Sequence, residues 1–382
     1  MRMERFVPYL GVVAALIFSV AVLYVFGSAI APRVATNNTF SMPSAISSSS
    51  PSSLSPAPIP SEAGDAMSSA PQAHATLVSD KKTVPVTFVQ PVVQSTPVVP
   101  PAPSVQAELD ASAVALRAAL VNIICYAPAG SGLRSMSGSG VFVDQKGVII
   151  TNAHIAQYFL LADRDVSCDI RAGSPAADKY DAELIYIPPA WIGANAGVLA
   201  ETAPSGTGEY DFAFLAVTKS ATSALLPSSF PHIPLAASAP SHYGAPVVIA
   251  SYGAQFLVSS QVQSSLFPTI VFGSVKDVFT FASSTIDVLA LGGSAAAQEG
   301  SSGGGVADAS GALTGVITTS TTEGATDARK LDAITASYIR AEYARETGQA
   351  LDTLLAKPVS DAIADFAPRI PALEALITAH LP

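Results

Sequence analysis

Three segments, far apart in the chain, hold the side-chain types that an acyl-transfer site requires. The first runs Gly138-Ser139-Gly140-Val141-Phe142-Val143, passes through a turn, and continues Val148-Ile149-Ile150-Thr151-Asn152-Ala153-His154. Two apolar runs thus deliver a histidine, the side chain whose unperturbed pKa best suits a general base near neutral pH. The second is Tyr210-Asp211-Phe212-Ala213-Phe214-Leu215-Ala216-Val217, in which a carboxylate leads into an apolar strand. Burying that carboxylate is costly without a hydrogen-bonding partner. An imidazole N–H is such a partner, and the carboxylate would in turn fix the ring's tautomer. The third is Glu299-Gly300-Ser301-Ser302-Gly303-Gly304-Gly305-Val306. Its glycines allow a tight turn that exposes the Ser302 hydroxyl and aims backbone N–H groups at one point, where they would stabilise an oxyanion. Each piece alone has a plainer reading: a structural histidine, a turn aspartate, a flexible Gly/Ser loop. Their joint presence, in the order His, Asp, Ser, points to nucleophilic catalysis.

The elements that would position these groups are β-strands. Runs at Leu120–Tyr126, Gly138–Val143, Val148–Thr151, Ala182–Ile187 and Asp211–Val217 are short and rich in Val, Ile, Phe and Tyr, as are Pro246–Tyr252, Thr269–Val275, Ile286–Leu291, Leu313–Thr319 and Lys330–Ile334. They are broken by turn residues such as Asp144-Gln145-Lys146-Gly147. Short β-rich runs with few long helical patterns between them predict an all-β pair of barrels. The loop-like stretch Thr218–Gly244 divides the two groups, and Pro188–Glu209 reads as a long loop. A short helical pattern over Glu108–Leu120 precedes the strands. From about Thr335 the period becomes helical, with Tyr338, Ile339 and Tyr343, then Leu351, Leu354 and Leu355, then Leu373, Leu376 and Ile377. This tail is expected to pack on a barrel, the alternative being that it recruits a partner.

Thr151-Asn152-Ala153-His154, Asp211-Phe212-Ala213-Phe214-Leu215 and Gly300-Ser301-Ser302-Gly303-Gly304 resemble the motifs of the chymotrypsin-like (trypsin-fold) serine proteases, especially the bacterial HtrA-type branch. The resemblance covers roughly residues 107–340 and implies two six-stranded antiparallel β-barrels. It implies Ser302 as nucleophile, His154 as general base and later acid, and Asp211 as orienting carboxylate, with the N–H groups of Gly300 and Ser302 as oxyanion hole. Ser301 is the competing serine. It stands where the digestive branch has an aspartate that pairs with a new N-terminus, so zymogen control of that kind is not expected. The family's substrate pocket maps here onto Ala296 before the nucleophile and onto Thr318 and Ser320 after it, the latter two as backbone contacts to extended substrate. Ala296 stands where trypsin-like enzymes have an aspartate, which predicts a small or aliphatic residue before the scissile bond. Too few residues follow the last expected strand for the PDZ module usual in the HtrA branch.

Composition narrows the setting. The 382 residues carry 19 basic against 29 acidic side chains, a net charge of −10, and no Lys/Arg run able to build a phosphate-binding face, which excludes a nucleic-acid partner. Mean hydropathy is +0.42. Residues Val7 to Ala31 are free of charge and long enough to cross a bilayer, with Arg2 and Arg5 before them. They predict a single membrane anchor over residues 1–33 with a cytoplasmic N-terminus and an extracytoplasmic body. A cleaved signal peptide is the rival reading, with Pro32 placed to hinder cutting. Residues 34–106 are Ser/Pro-rich and almost uncharged, a composition that predicts a disordered, semi-extended tether. A protease domain over 107–345 and a helical tail over 346–382 complete the expected organisation.

The two cysteines, Cys125 and Cys168, lie on either side of His154 in sequence. An exported domain with two cysteines has one possible pairing, so a single disulfide is expected, the alternative being two buried thiols. His74, His232, His242 and His380 are scattered, and neither a metal site nor a cofactor is expected. The sequence thus predicts a membrane-tethered serine endopeptidase acting on polypeptides outside the cytoplasm. Two rivals remain: a protease fold kept as a binding or scaffold module, and an esterase with the same triad. The oligomeric state is not legible in the sequence.

Overall fold

The computed structural model describes residues 104–201, 206–237, 241–281, 285–321 and 323–381. The chain divides into two units, Met1–Val93 and Gln94–Pro382, and every described residue lies in the second. The expected anchor (Val7–Ala31) and nearly all of the expected tether fall outside the described residues. Among the described residues no helix is long and apolar enough to cross a membrane.

The first helix, α1 (Val105–Ala119), opens with Ser104 accepting from the Ala107 N–H and carries Glu108 in its first turn and Arg117 in its last. Each placement suits the partial charges of the helix ends. It begins two residues before the expected domain boundary. Leu109, Ser112, Leu116 and Ala119 form its buried face, and the Ser112 hydroxyl donates to the Asp308 carbonyl at 2.7 Å. The helix therefore rests on the second sheet, although its last residue leads straight into the first barrel.

That barrel is closed, in the order β1 (Leu120–Tyr126), β2 (Met136–Phe142), β3 (Val148–Thr151), β6 (Ala213–Ser220), β5 (Ala176–Tyr186) and β4 (Ser167–Gly173). Closure leaves no unpaired edge. Buried Asn122 on β1 keeps its amide satisfied by donating to Ser137 Oγ and the Gly138 carbonyl and by accepting from Arg171. Cys125 and Cys168 stand opposite one another on β1 and β4 and are joined in a disulfide, with Cα atoms 4.0 Å apart.

The second barrel departs from the six closed strands expected. It is a seven-stranded open sheet in the order β8 (Thr269–Ser274), β7 (Pro246–Ser251), β11 (Gly305–Ala307), β12 (Leu313–Ser320), β13 (Leu331–Thr335), β10 (Val288–Ala290), β9 (Asp277–Phe279). Val275 and Lys276 carry the chain from one edge of the sheet to the other. Val275 N–H donates to the Ala245 carbonyl beside β7, and Lys276 N–H donates to the Ala290 carbonyl of β10. The two edge strands, β8 and β9, are thus joined by chain continuity at Val275–Lys276 rather than by a ladder between them.

The expected loop Pro188–Glu209 also holds a helix at Pro189–Asn195 and a 3₁₀ turn at Val198–Ala200. The tail forms helices at Ala336–Thr347, Leu351–Ala356, Val359–Phe366 and Ile370–Thr378. Leu351, Leu354, Phe366, Leu373 and Ile377 join the same core as the first barrel. As expected, the tail packs on the protein's own body. Tyr343 meets the Tyr186 ring edge-on at 4.7 Å between centroids.

Candidate active site

His154 does not end a strand. Strand β3 stops at Thr151, and His154 occupies a single helical turn, Ala153–Ala156. Gly138 makes room for that turn: a β-carbon there would lie 2.4 Å from the Ile155 side chain. The His154 side chain is 31% exposed and that of Asp211 only 7%. His154 Nδ1 lies 2.8 Å from Asp211 Oδ2. An ionised carboxylate only accepts, so Nδ1 carries the hydrogen and Nε2 is left to take a proton. The His154 backbone N–H donates to Asp211 Oδ1 at 2.9 Å, and the Thr318 hydroxyl donates to Oδ2 at 2.7 Å.

These contacts set both titrations. Burial pulls the His154 pKa down, but the Asp211 charge and hydrogen bond outweigh it, and the ring is held above its usual value. Burial pushes Asp211 up. The His154 charge, the two bonds from His154 and the Thr318 hydroxyl outweigh that and hold the carboxyl below the usual carboxylate range. Its backbone is fixed as well. Tyr210, in the left-handed region at φ 58°, donates its N–H to the Tyr338 hydroxyl of the tail at 3.0 Å, and Asn152 donates to the Asp211 carbonyl at 2.8 Å.

The Gly300–Gly305 loop is tied through backbone to β2 and β12. Ser139 N–H donates to the Ser302 carbonyl, and Gly303 N–H donates to the Ile317 carbonyl, each at 2.8 Å. Gly303 has φ +82°, and a β-carbon on it would fall 1.9 Å from the Ser139 carbonyl oxygen and 2.5 Å from Thr151 Oγ1. No other residue fits. Among the described residues, neither the Gly300 N–H nor the Ser302 N–H donates within the chain, so both remain available to an oxyanion.

Ser139 binds the two halves together with every polar atom it has. Its carbonyl accepts from Thr151 Oγ1 at 2.7 Å. Its hydroxyl donates to the Gly300 carbonyl and accepts from the Tyr252 N–H, each at 2.8 Å. Ser301 is buried, and its hydroxyl accepts from Ser251 at 3.1 Å, an arrangement that turns it inward. Ala296 is fully buried. Thr318 and Ser320 lie at the end of β12. For Thr318 the sequence reading named only the backbone; the structure adds the hydroxyl bond to Asp211. Among the described residues no group of three or more His, Cys, Asp or Glu could hold a metal ion.

Sequence reasoning missed Ser139, the hydroxyl role of Thr318, and Arg329. Ser139 stood inside a quoted motif, and its flanking glycines were the available sign of a crowded backbone. Arg329 is buried, with its guanidinium against the Ala297 carbonyl.

Residues 138–316 match the family model for the trypsin-like peptidase domain. Among solved structures, the chain is similar to the Rv3671c protease of M. tuberculosis in its active form, at 20% identity, 67% coverage of this chain, 92% of that one and a TM-score of 0.40. The inactive form of the same protease matches at 19% identity, 64% and 96% coverage and a TM-score of 0.40. No curated protein matches the chain. The family match takes in the His154 arm, Asp211 and the whole glycine loop, so residues 138–316 are similar to a trypsin-like peptidase domain.

Proposed function

We propose that the protein is a membrane-tethered serine endopeptidase that cleaves extracytoplasmic polypeptides through His154, Asp211 and Ser302. The observation that carries the site assignment is the Asp211 carboxylate, which accepts from the His154 ring, the His154 backbone and Thr318 at 2.7–2.9 Å. That arrangement leaves His154 Nε2 as the only free base of the pair.

In the proposed reaction, Ser302 Oγ attacks the scissile carbonyl carbon while His154 Nε2 takes its proton. The oxyanion that forms accepts from the Gly300 and Ser302 N–H groups. The resulting imidazolium is stabilised by Asp211, which stays ionised. Nε2 then gives the proton to the leaving amine as the C–N bond breaks, and an acyl group remains on Ser302. A water, deprotonated by the same nitrogen, attacks the ester, and the proton returns to Ser302 as the acid product departs.

The disulfide and the uncharged stretch behind Arg2 and Arg5 support an extracytoplasmic setting. The motif spelling around His154 and Ser302 supports kinship with the HtrA-type branch. Peptide hydrolysis tests the reading. Ser302→Ala is expected to fall by about 10⁶-fold in kcat with an unchanged melting temperature. Ser301→Ala is expected to retain turnover. A dead Ser301→Ala beside an active Ser302→Ala would overturn the assignment, and no turnover by the wild type would favour a binding module.

A further inference from the structure

Two arginines, Arg171 and Arg329, are buried in the described residues, at 2% and 6% exposure. They are treated differently by their surroundings. Arg171 spans the first barrel and the chain around Val262, donating to Asn122 Oδ1 and to the carbonyls of Ala176, Val262 and Gln263. Its charge is met by Asp178, at 3.1 Å. Arg329 has comparable hydrogen bonds. Nη1 donates to Gln255 Oε1 at 2.6 Å and to the Ala297 carbonyl at 2.7 Å. Nε and Nη2 both donate to the Gly324 carbonyl, at 3.0 and 2.8 Å. The exposed Phe256 ring lies 5.7 Å from the guanidinium carbon. Carbonyls and a ring face orient a cation without neutralising it. Among the described residues no carboxylate forms an ion pair with Arg329, neither the neighbouring Glu323 and Asp327 nor Glu299. A guanidinium has five N–H donors, and one on Nη2 is not engaged by these bonds.

The position of this charge gives it a use. Its anchors are the three segments that surround the glycine loop. Ala297 precedes Ser302 by one short turn. Gly324 follows β12, whose Thr318 binds Asp211. Gln255 follows Tyr252, whose N–H is held by Ser139. If the chain binds substrate as the family it resembles does, a peptide with its scissile carbonyl at the Gly300 and Ser302 N–H groups would place the side chain of that same residue against residues 294–299. Ser294 to Gln298 supply no charge of their own, and the one charged residue of that stretch, Glu299, is exposed and forms no ion pair with Arg329. A buried, unneutralised cation behind such a stretch favours an anionic side chain strongly, because burial weakens solvent screening and a bare buried charge is costly.

We propose that Arg329 determines specificity by pairing with the carboxylate of a substrate glutamate or aspartate on the acyl side of the scissile bond. Arg329 supplies the charge that Ala296 lacks, and the acidic preference replaces the small or aliphatic one expected from Ala296 alone. This inference rests on the serine-peptidase reading of the same site.

The test compares two peptides that differ only by Glu against Gln at the cleaved residue, using the full chain. The wild type should favour the Glu peptide by about 100-fold in kcat/KM, the range expected for a charged over a neutral hydrogen bond in a dry site. Arg329→Gln should remove the preference while retaining cleavage of the Gln peptide, and Arg329→Lys should keep it in part. Equal wild-type rates on the two peptides would overturn the proposal without needing any variant. So would an Arg329→Gln enzyme equally impaired on both, which would mark Arg329 as a structural clip. Absence of both cleavage and fluorophosphonate labelling would instead overturn the peptidase reading, and this proposal with it.

Discussion

The two halves of the folded body hold their contributions to the candidate site by opposite means. The first is a closed barrel, stapled by Cys125–Cys168, and it holds His154 and Asp211 through side-chain hydrogen bonds. The second is an open sheet whose edge strands β8 and β9 are joined by chain continuity, and it holds Ser302 through glycine backbone pressed against Ser139 and Thr151. The difference follows from what each group must do. A base and its carboxylate are placed by their own polar atoms, so a rigid frame with good donors suffices. The proposed nucleophile and its oxyanion donors would be placed by the backbone itself, and the backbone comes close enough only where side chains are absent.

Breaking the staple is the largest expected effect on the frame. Joining residues 43 apart in sequence is worth about 4 kcal/mol by loop entropy. A Cys125→Ala/Cys168→Ala double variant should therefore melt well below the wild type, with activity lost in step as the first barrel opens. An unchanged melting temperature would show that barrel closure alone carries the frame.

The second half should instead be sensitive at single backbone positions. Gly303→Ala meets the Ser139 carbonyl and a left-handed φ, and should cost about 3 kcal/mol or more together with the activity. Gly311→Ala has a similar φ, +79°, but nothing within 4 Å, and should cost only about 1 kcal/mol with turnover preserved. Chemical denaturation and kcat on the two variants measure the contrast directly. Equal costs would mean that crowding at Gly303 is relieved by movement, and the comparison would weaken.

Much of this contrast could be read from sequence, and the parts that could not share a cause. The expected strand runs all overlap observed strands, the largest difference being β5, which begins six residues before the expected Ala182, because alternation and β-branched content record burial locally. Strand β4 (Ser167–Gly173) escaped because Arg171 sits buried in it, a placement allowed by Asn122 and Asp178 rather than by any apolar pattern. Strands β9 and β11 are three residues each, too short to show a period. The motifs singled out His154, Asp211 and Ser302 as candidates because each carries a recognisable local spelling, and the structure pairs the first two. Ser139, Thr318 and Arg329 do not, since their partners at Gly300, Asp211 and Ala297 are distant in the chain. The split of one run into edge strands β8 and β9 at Val275 and Lys276 was invisible for the same reason, since their partners at Ala245 and Ala290 are distant in the chain.

The smallest expected effect concerns pH and sets the two demands on the first barrel against each other. Activity needs neutral His154, so kcat/KM should rise as pH climbs through a pKa above about 6.5. Stability has the opposite sign. The raised His154 pKa contributes stability that is present below the unfolded value and lost as pH rises through the folded one. The lowered Asp211 pKa contributes stability present above about 3.9 and lost as pH falls through its folded value. The melting-temperature gap between wild type and Asp211→Asn should thus be widest in the mildly acidic range and narrow toward higher pH. A gap that grew with pH would contradict the His154–Asp211 account.

The most direct measurement is the site of fluorophosphonate labelling. A phosphonyl probe reacts with a serine hydroxyl only when a base and an oxyanion site act on it together. The account predicts one adduct, on Ser302, lost in Ser302→Ala and His154→Ala and retained in Ser301→Ala. An adduct on Ser301, or none on the folded wild type, would contradict it.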